Sequence, residues 1–456
     1  MFAKETYMQR RALLKKNLGS GVLLFLGNDE CGLNYEDNTF RYRQDSTFLY
    51  YFGLSCAGLS AIIDIDEDKE IIFGDELSID AIVWMGSQPT LHEKCERVGV
   101  KNLMPSAEIT SYLHKYVQKG KAVHYLPPYR PEHKLKLMDW LGIPPTRQEA
   151  SVPFIRAVIA QRNYKSAEEI VEIEKACDVT ADMHITAMKV LRPGMYEYEV
   201  VAEMNRVAES NNCQLSFATI ATINGQTLHN HYHGNKVKPG DLFLIDAGAE
   251  VESGYAGDMS GAEVESGYAG DMSSTIPADK KFTARQREVY EIQNAMHLES
   301  VKALRPGIPY MEVYELSARV MVDGMKALGL MKGNTEDAVR EGAHALFYPH
   351  GLGHMMGLDV HDMENLGEIW VGYNGQPKST QFGRKSQRLA IPLEPGFVHT
   401  VEPGIYFIPE LIDMWKGEKK FTDFINYDVV ETYKDFGGIR NEEDYLITET
   451  GARRLG

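Results

Sequence analysis

The amino-acid sequence predicts an α/β (α+β) protein with two domains, the second of which contains two similar halves. Three observations lead to this fold class. Residues 1 to about 150 mix strand-like and helix-like patterns, a clear helix start follows at Ser166, and a motif that ends a helix with Pro-Gly occurs twice in the second part of the chain. A chain of 456 residues is long enough for two or three domains.

Two apolar runs in the first domain, residues 21–26 and 59–65, are predicted to be buried strands. Between them, residues 40–52 are rich in aromatic side chains and include two arginines, which is typical of an amphipathic core segment. Residues 127–145 turn to Pro, Lys and His, a composition that indicates a linker.

The second domain begins with a helix whose start is marked by a capping box, because Ser166 is followed three residues later by Glu169. Apolar residues then recur at helical spacing, namely Ile170, Ile173, Ala176 and Cys177. We place the boundary near residues 150–165, and assign residues 1–160 to the first domain and residues 161–456 to the second.

The two halves of the second domain are predicted from a weak internal repeat. Residues 188–195 (MKVLRPGM) resemble residues 301–308 (VKALRPGI) at an offset of 113 residues. Both segments close a helical run with Pro-Gly and precede another helix rich in Tyr, Glu and Val. The offset is far longer than a solenoid unit, so it predicts two helix–helix–strand halves that face each other across a site.

Charge and cysteine content exclude several classes of protein. Lys+Arg 48 against Asp+Glu 65 gives a formal net charge of −17, so we expect no nucleic-acid partner. The apolar run near the start is too short for a signal peptide or a membrane span, and we expect no membrane partner. The five cysteines are scattered without CxxC spacing, which argues against a disulfide framework and fits a reducing cytoplasm.

The strongest indication of a functional site is a run rich in histidine and glycine, residues 348–362 (YPHGLGHMMGLDVHD). Glycine and histidine favour loops and close-approach positions over helix interiors. Imidazole is also a common metal ligand. The run therefore predicts a metal site, provided that carboxylates elsewhere complete the ligand set.

A thirteen-residue segment, residues 248–260, recurs without change as residues 261–273. A tandem identity of this length indicates a duplication, either in the gene or in the recorded sequence. Each copy ends in Gly-Asp-Met-Ser, with Asp258 in the first copy and Asp271 in the second. We favour Asp271 as a site residue, because the Ser-Thr-Ile that follows can continue as a strand while the extra residues loop out at a hairpin tip.

Three further acids are predicted at strand ends. Asp246 follows four apolar residues, where an ionised side chain needs a cation or a full set of donors. Glu402 ends another strand, and Pro403 holds it extended. Glu442 opens a triple acid that runs into an apolar strand after Gly437-Gly438.

Two aspartates, two glutamates and one histidine carry four negative charges when the acids are ionised, which balances two divalent cations. An oxygen-rich set with a single imidazole suits Mn²⁺, Fe²⁺, Co²⁺ or Zn²⁺. Two such cations, about 3.5–4 Å apart, can activate a water, polarise a carbonyl and stabilise a tetrahedral oxyanion. The residues alone therefore predict dinuclear hydrolysis of an amide or ester.

Taken together, these motifs resemble the pita-bread metallopeptidases, specifically the proline-specific branch of aminopeptidase P and prolidase. The motifs occur in order along nearly the whole chain, as IDAG (245–248), GYAGD (267–271), HGLGH (350–354), TVEPG (400–404) and GIRNE (438–442). The resemblance implies a creatinase-like first domain, with residues 41–52 in the pocket wall, and a catalytic pita-bread domain with pseudo-two-fold halves.

The resemblance also implies roles for individual residues. The implied ligands of two divalent cations are Asp246, Asp271 (or Asp258), His354, Glu402 and Glu442. The implied catalytic residues are Glu402 as proton shuttle, His361, His229 and Arg440. The implied substrate-binding residues are His229, His350, His361 and Tyr406. Glu442 is preferred to Glu443 because the ligand of the family follows its arginine by two residues, and Mn²⁺ is the expected metal, with Zn²⁺, Co²⁺ or Fe²⁺ as alternatives.

The implied activity is removal of an N-terminal residue that precedes proline, from dipeptides as in prolidase or from longer peptides as in aminopeptidase P. The Xaa-Pro bond is a tertiary amide without an N–H group, which ordinary peptidases cannot hold by that hydrogen bond. Homodimers or homotetramers are usual in the family. Two alternatives remain, a metal-free pita-bread binding module and a creatinase-like hydrolase that does not need the five ligands.

Overall fold

The computed structural model describes residues 2–251 and 267–456, which separate into two compact units. The first unit contains residues 2–162, Gly267 and the segment Glu364–Trp370. The second unit contains the rest of the described chain, namely Asn163–Val251, Tyr268–Met363 and Val371–Gly456. The sequence does not predict that Glu364–Trp370 belongs to the first unit. The domain boundary between residues 160 and 161 stays a prediction.

A five-stranded mixed sheet lies at the centre of the first unit. Its strands are β1 (Val22–Leu26), β4 (Ser60–Asp64), β5 (Lys69–Phe73), β6 (Asn102–Met104) and β7 (Val123–Tyr125). They are arranged in the order β6-β5-β4-β1-β7, and a separate hairpin is formed by β2 (Gly32–Tyr35) and β3 (Asn38–Thr39). β1 and β4 are buried, which confirms the two strands predicted in this domain.

Seven helices cover the described part of the first unit before residue 163. They are α1 (Lys4–Leu18), α2 (Ser46–Phe52), α3 (Ile79–Met85), α4 (Leu91–Arg97), α5 (Ile109–Gln118), α6 (Pro131–Leu141) and α7 (Val152–Arg162). Every residue of α2 is buried, and the Asp45 side chain caps its start by accepting from the Phe48 N–H group. Residues 46–52 of the aromatic segment are thus a core element, whereas Phe40 is exposed and the place of residues 41–52 in a pocket wall stays a prediction.

The linker predicted for residues 127–145 is wrong, because α6 occupies most of this range. Pro131 lies at the start of the helix, where its missing N–H group costs nothing. Gly142 ends the helix in the left-handed region at φ 68°. His133 and Leu137 are buried on one face, so the Pro and Lys residues mark the start and the solvent side of a helix.

The internal repeat of the second unit is confirmed as two helix pairs. The first pair is α8 (Ala167–Val190) and α9 (Glu197–Ser210), and the second is α10 (Ala284–Ala303) and α11 (Tyr310–Ala327). The capping box predicted at Ser166 is present, and a second one at Thr283 starts α10. Shorter helices of this unit are α12 (Thr335–Glu341), α14 (Pro409–Gly417) and α15 (Tyr427–Val430), whereas α13 (Glu368–Val371) lies almost wholly in the segment that belongs to the first unit.

Each half of the second unit adds antiparallel strands to its helix pair. In the first half these are β8 (Cys213–Leu215), β9 (Ile220–Thr222), β10 (Leu242–Ala247), β11 (Ala249–Val251) and β12 (Met272–Pro277). In the second half they are β13 (Val398–Val401), β14 (Gly404–Tyr406), β15 (Gly438–Arg440), β16 (Glu443–Ile447) and β17 (Ala452–Arg454). β12 pairs with β10 as predicted, and β13 ends at Val401, directly before Glu402 and Pro403, after which β14 begins at Gly404.

Within the described ranges, no helix combines the length and the apolar character needed to cross a bilayer.

Candidate metal centre

Three buried side chains, Asp271, His354 and Glu442, form the centre of the site. Each offers one potential ligand atom, and these atoms lie within 4.8 Å of one another. The His354 Nε2 atom is 3.5 Å from Asp271 Oδ2 and 4.0 Å from Glu442 Oε1. Glu402 Oε1 lies 3.7 Å from the same nitrogen, so a fourth predicted ligand reaches the cluster.

Two antiparallel strand pairs bring the acids to one place. In the first half, Asp246 lies opposite Ser273, and Asp271 immediately precedes β12. In the second half, Val401 lies opposite Glu443, so that Glu402 and Glu442 flank the same end of the β13–β16 pair. A bridge between Ser273 and Glu442 joins the two halves.

Glycines allow the close backbone approaches beside two of these residues. A Cβ atom at Gly270, next to Asp271, would lie 2.9 Å from the Ala176 carbonyl carbon in α8. A Cβ atom at Gly353, next to His354, would lie 2.2 Å from the Thr400 carbonyl oxygen. Only glycine fits at either position, which explains why the histidine run and the GYAGD motif carry glycines beside their ligands.

Arg440 orients part of the carboxylate set. Its guanidinium donates to Asp246 Oδ2, to the Tyr406 hydroxyl at 3.0 Å and to Ser273 Oγ at 2.9 Å. The Ser273 hydroxyl in turn donates to Glu442 Oε2 at 2.6 Å. One oxygen of each of two predicted ligands, Asp246 and Glu442, is therefore held by this network.

Two other carboxylate oxygens of the cluster have no hydrogen-bond partner in the described part of the chain. They are Asp246 Oδ1 and Asp271 Oδ1, and both are buried. Buried polar atoms are normally paired. Carboxylate oxygens with one imidazole nitrogen form a donor set that suits Mn²⁺, Fe²⁺, Co²⁺ or Zn²⁺, so the residues present fit a divalent cation.

The pKa values of the residues in the cluster also favour a divalent cation. Burial raises the pKa of Asp271 and that of Glu442 well above the usual range of a carboxyl group, and neighbouring acids add to the effect. Burial also raises the pKa of Glu402 to about 7 and lowers the pKa of His354 well below its usual value. A divalent cation would stabilise the ionised carboxylates and the neutral imidazole together, because it compensates carboxylate charge and accepts a lone pair from neutral imidazole.

The cluster opens into a pocket of about 340 Å³. His229 and His361 line this pocket together with the acids, and so does His231. Phe217 and Leu228 add apolar wall. The pocket thus combines the predicted ligands, three further imidazoles and an apolar wall, and its volume lies within the usual range of small-molecule sites.

His350 lies beside Glu402 and Tyr406. Its Nε2 atom is 2.9 Å from the Tyr406 hydroxyl, and its Nδ1 atom is 3.7 Å from Glu402 Oε2. Burial lowers the pKa of His350 to about 3, so the ring is neutral at physiological pH. The structure therefore brings this predicted substrate-binding residue to the predicted proton shuttle.

Other residues of the site carry no sequence signal of their own. Arg388 lines the pocket, and its charge opposes the rise of the Glu402 pKa that burial causes. The Thr400 hydroxyl accepts a hydrogen bond from the backbone N–H group of His354 at 3.2 Å. Ser273 is ordinary as a strand residue and contacts Glu442 only in the folded chain. Thr400 belongs to the TVEPG motif, but its residue type does not single it out, and the place of all three in the site follows from their position in the fold.

One candidate from the sequence, Glu443, lies elsewhere, and a second is not described. Glu443 lies apart from the cluster, where hydrogen bonds from His297 and Tyr445 overcome the effect of burial and lower its pKa to about 2. Asp258, the alternative to Asp271, is outside the described residues.

A buried group of carboxylates and one imidazole at the base of a pocket, carried by two pseudo-symmetric strand pairs, defines a metal-dependent enzyme. Comparison with known families identifies it further. The model of the metallopeptidase family M24 matches residues 171–261 and 259–449, and the model of the aminopeptidase P N-terminal domain matches residues 7–125. The chain belongs to metallopeptidase family M24.

Individual relatives span nearly the whole chain. A Xaa-Pro aminopeptidase from Escherichia coli (strain K12) is 31% identical over 99% of this chain and 94% of its own length. A human Xaa-Pro dipeptidase is 28% identical over 97% of this chain and 88% of its own length. A solved structure of zinc-substituted E. coli aminopeptidase P in complex with product has a TM-score of 0.77 and 29% identity, and covers 100% of this chain and 95% of that one.

These findings confirm the family resemblance and the mixed α/β fold with an aminopeptidase P-like first domain and a pita-bread second domain. They also confirm that the chain is a metallopeptidase and disfavour the binding-module alternative. The number and identity of the cations, and the roles of individual residues, stay predictions.

Proposed function

We propose that this chain is a dinuclear metal-dependent exopeptidase that hydrolyses the Xaa-Pro bond at the N-terminus of peptides or in dipeptides. The observation that carries the proposal is the buried cluster around His354, in which acids from both halves converge at the base of a pocket. The names of the relatives, Xaa-Pro aminopeptidase and Xaa-Pro dipeptidase, support the substrate class.

The proposed ligands of the two cations are Asp246, Asp271, His354, Glu402 and Glu442, and Mn²⁺ is the proposed metal. When bound, the cations lower the pKa of a water and polarise the scissile carbonyl. The relative solved with zinc substituted into it, E. coli aminopeptidase P, supports a divalent metal in this family.

Side chains of the protein transfer the proton, orient the substrate and hold the acids in place. Glu402 takes the proton of the attacking water and returns it to the proline nitrogen, which needs a proton to leave as an amine. His229 and His361 line the pocket and orient the carbonyl of the substrate. Arg440 and Tyr406 keep the acids in place through the hydrogen bonds that join them. Phe217 and Leu228 offer an apolar surface to the pyrrolidine ring.

The proposal also includes a cytoplasmic location and a homo-oligomeric assembly. A reducing cytoplasm is supported by five free cysteines, Cys31, Cys56, Cys95, Cys177 and Cys213. A homodimer or homotetramer is supported by helix α3, which has no buried residue and exposes 87% of Trp84 and 74% of Val83. Light scattering of the purified protein measures the mass directly.

The decisive experiment compares hydrolysis of Ala-Pro with that of Ala-Pro-Ala by metal-stripped enzyme, with and without added Mn²⁺. Cleavage of the dipeptide alone identifies prolidase activity, and cleavage of both identifies aminopeptidase P activity. We expect Glu402→Gln to abolish turnover while it leaves the fold intact, and Glu410→Gln, on the exposed side of α14, to leave turnover unchanged. Metal-independent turnover, or full activity of Glu402→Gln, would contradict the proposal.

A further inference from the structure

The internal repeat places two buried histidines at equivalent positions. His184 in α8 and His297 in α10 are 113 residues apart, the same offset that relates the two Pro-Gly motifs. Each follows a methionine, and each is buried. Neither belongs to the histidine-rich run or lines the pocket of the metal centre.

In the first half, His184 connects two strands that carry predicted ligands. Its Nε2 atom donates to the Ala247 carbonyl at 3.3 Å, one residue after Asp246. Its Nδ1 atom is therefore the acceptor for the Ser274 hydroxyl at 2.7 Å, three residues after Asp271.

In the second half, His297 makes the corresponding contact. Its Nε2 atom lies 3.0 Å from the Tyr445 hydroxyl, three residues after Glu442. The Tyr445 hydroxyl donates to Glu443 Oε2 at 2.6 Å, so it accepts from His297. Side chains alternate between the faces of a strand, so Ser274 and Tyr445 face the helices while the ligands three residues earlier face the site.

The same two helices make a second pair of contacts one turn earlier, again 113 residues apart. Thr180 Oγ1 accepts from the Ala249 N–H group at 2.9 Å, three residues after Asp246. Gln293 Nε2 donates to the Pro403 carbonyl at 2.7 Å, one residue after Glu402. Each helix of the repeat thus hydrogen-bonds the chain next to both acids of its half.

A cavity of about 540 Å³ adjoins these contacts. His184, Ser274, His297 and Tyr445 all line it, together with residues of α8 and α10. Because the space between the helices is open here, close packing of one helix against the other cannot fix the distance between the strands. Hydrogen bonds from the two histidines, together with those of Thr180 and Gln293, link each helix to the strands of its own half.

We infer that His184 and His297 are a matched pair of positioning residues, each of which holds the ligand-bearing segment of its own half from the outer face of the strands, that of Asp271 for His184 and that of Glu442 for His297. The inference rests on the proposed metal ligands and deepens them. Groups that orient metal ligands typically change metal affinity by about 10–100-fold when removed. We expect roughly tenfold weaker Mn²⁺ binding when either contact is lost.

The test measures Mn²⁺ binding to the metal-stripped full chain by titration calorimetry. His184→Leu and His297→Leu remove the hydrogen bonds, and Ser274→Ala and Tyr445→Phe remove only the partner hydroxyls. His184→Asn retains an acceptor near the Nδ1 position, and His297→Gln retains a donor near the Nε2 position, so both should restore most of the affinity. The double variant His297→Leu/Tyr445→Phe should lose no more than the larger of its single variants.

A matched control separates positioning from general stability. His133 in the first unit is also buried and lies 3.3 Å from the Gly27 carbonyl, but contacts no predicted ligand strand. His133→Leu should therefore lower stability and leave Mn²⁺ affinity unchanged. Wild-type affinity in Ser274→Ala and Tyr445→Phe, or equal losses in the leucine and the conservative variants, would overturn the inference. A wild type that binds Mn²⁺ but cleaves no Xaa-Pro peptide would refute the proposed substrate alone.

Discussion

Three successive acids have different partners in the structure although they are neighbours in the sequence, namely Glu442, Glu443 and Asp444. Glu442 lies in the cluster with Asp271 and His354, whereas Glu443 accepts from the Tyr445 hydroxyl and from Arg454 Nη1 on the other face of the strand. Asp444 is buried and accepts from the Asp271 N–H group at 3.0 Å. The alternation of a strand assigns the neighbours different partners.

The sequence can predict site residues wherever a residue type conflicts with its surroundings. Asp246 stands out because an acid ends an apolar strand, and His354 because histidines and glycines interleave. Ser273, Thr400 and Arg388 cannot be found in this way. A serine, a threonine or an arginine is ordinary in a loop or strand, and only the folded chain brings each one to the site.

A buried ion pair beside the histidine run gives a test at the scale of single residues. Lys165 Nζ lies 3.0 Å from Asp362 Oδ2, and both side chains are 1% exposed. Asp362 follows His361, so this pair anchors a predicted substrate-binding residue. We expect Lys165→Met to lower the free energy of unfolding by about 3–5 kcal/mol, because it leaves a buried carboxylate without its cation. Urea unfolding measures the loss.

The double variant Lys165→Met/Asp362→Asn should recover part of this stability, because it also removes the buried carboxylate charge that faced the lysine. Lys175→Met provides the matched control, since its pair with Glu172 is formed by a lysine that is 57% exposed, and it should cost less than about 1 kcal/mol. Equal losses in Lys165→Met and Lys175→Met would contradict the importance of the buried pair.

At the scale of elements, the residues that start and stop helices are the most reliable sequence signal. The capping box at Ser166 and the Pro-Gly pairs predict the start of α8 and the ends of α8 and α10, because caps and helix stops act through local hydrogen bonds and dihedral limits. The linker interpretation of residues 127–145 is wrong for a related reason. Proline is common in linkers and at helix starts alike, and composition does not distinguish the two.

Helix α6 also provides a test of pH dependence. Burial lowers the pKa of His133 from its ordinary value of 6.5 to about 4, so the folded state favours the neutral ring. A depressed histidine pKa means that the unfolded state binds the proton more tightly. The stability that depends on neutral His133 is present above about pH 6.5 and is lost as the pH falls to about 4, by up to about 3 kcal/mol.

His133→Gln should therefore flatten the decline of stability between pH 6.5 and 4, measured by urea unfolding at several pH values. The same substitution at His114, which is exposed on α5, should leave the decline unchanged. An unaltered slope in His133→Gln would show that other groups govern acid unfolding.

At the scale of the whole molecule, the internal repeat explains why distant motifs converge. Acids from both halves, 131 to 196 positions apart in sequence, meet because each half supplies an antiparallel strand pair with acids at one end. Periodicity indicates the halves, and the family resemblance indicates the order of the motifs. How the thirteen-residue duplication fits into this plan is not predictable from residue types, since both copies are identical.

The described chain uses the start of the first copy and the end of the second. Val251 donates its N–H group to the Tyr268 carbonyl at 3.0 Å, and Gly270 donates to the Ala249 carbonyl at 2.9 Å. These contacts form one hairpin between β11 and the chain that leads into β12. The hairpin leaves sixteen residues between Val251 and Tyr268, thirteen of which are one repeat length.

Deletion of residues 252–264 should therefore keep both the fold and Mn²⁺ binding. It joins Val251 to Glu265 and leaves a three-residue connection, Glu265-Ser266-Gly267, with the same local sequence as before. Gly267 has φ 67°, the left-handed conformation that three-residue hairpin loops require of their glycine. Shortening the connection lowers the entropy cost of closing it, so we expect about 1–2 kcal/mol more stability. Thermal unfolding and Mn²⁺ titration measure the two effects.

Two substitutions distinguish the copies in the full-length chain. Asp271→Asn should abolish high-affinity Mn²⁺ binding, because Asp271 lies with His354 and Glu442, whereas Asp258→Asn should retain it. The reverse result would assign the ligand to the first copy. Loss of Mn²⁺ binding in the deletion variant, with Asp258→Asn unaffected, would instead mean that the length of the connection, rather than the identity of its acid, supports the site.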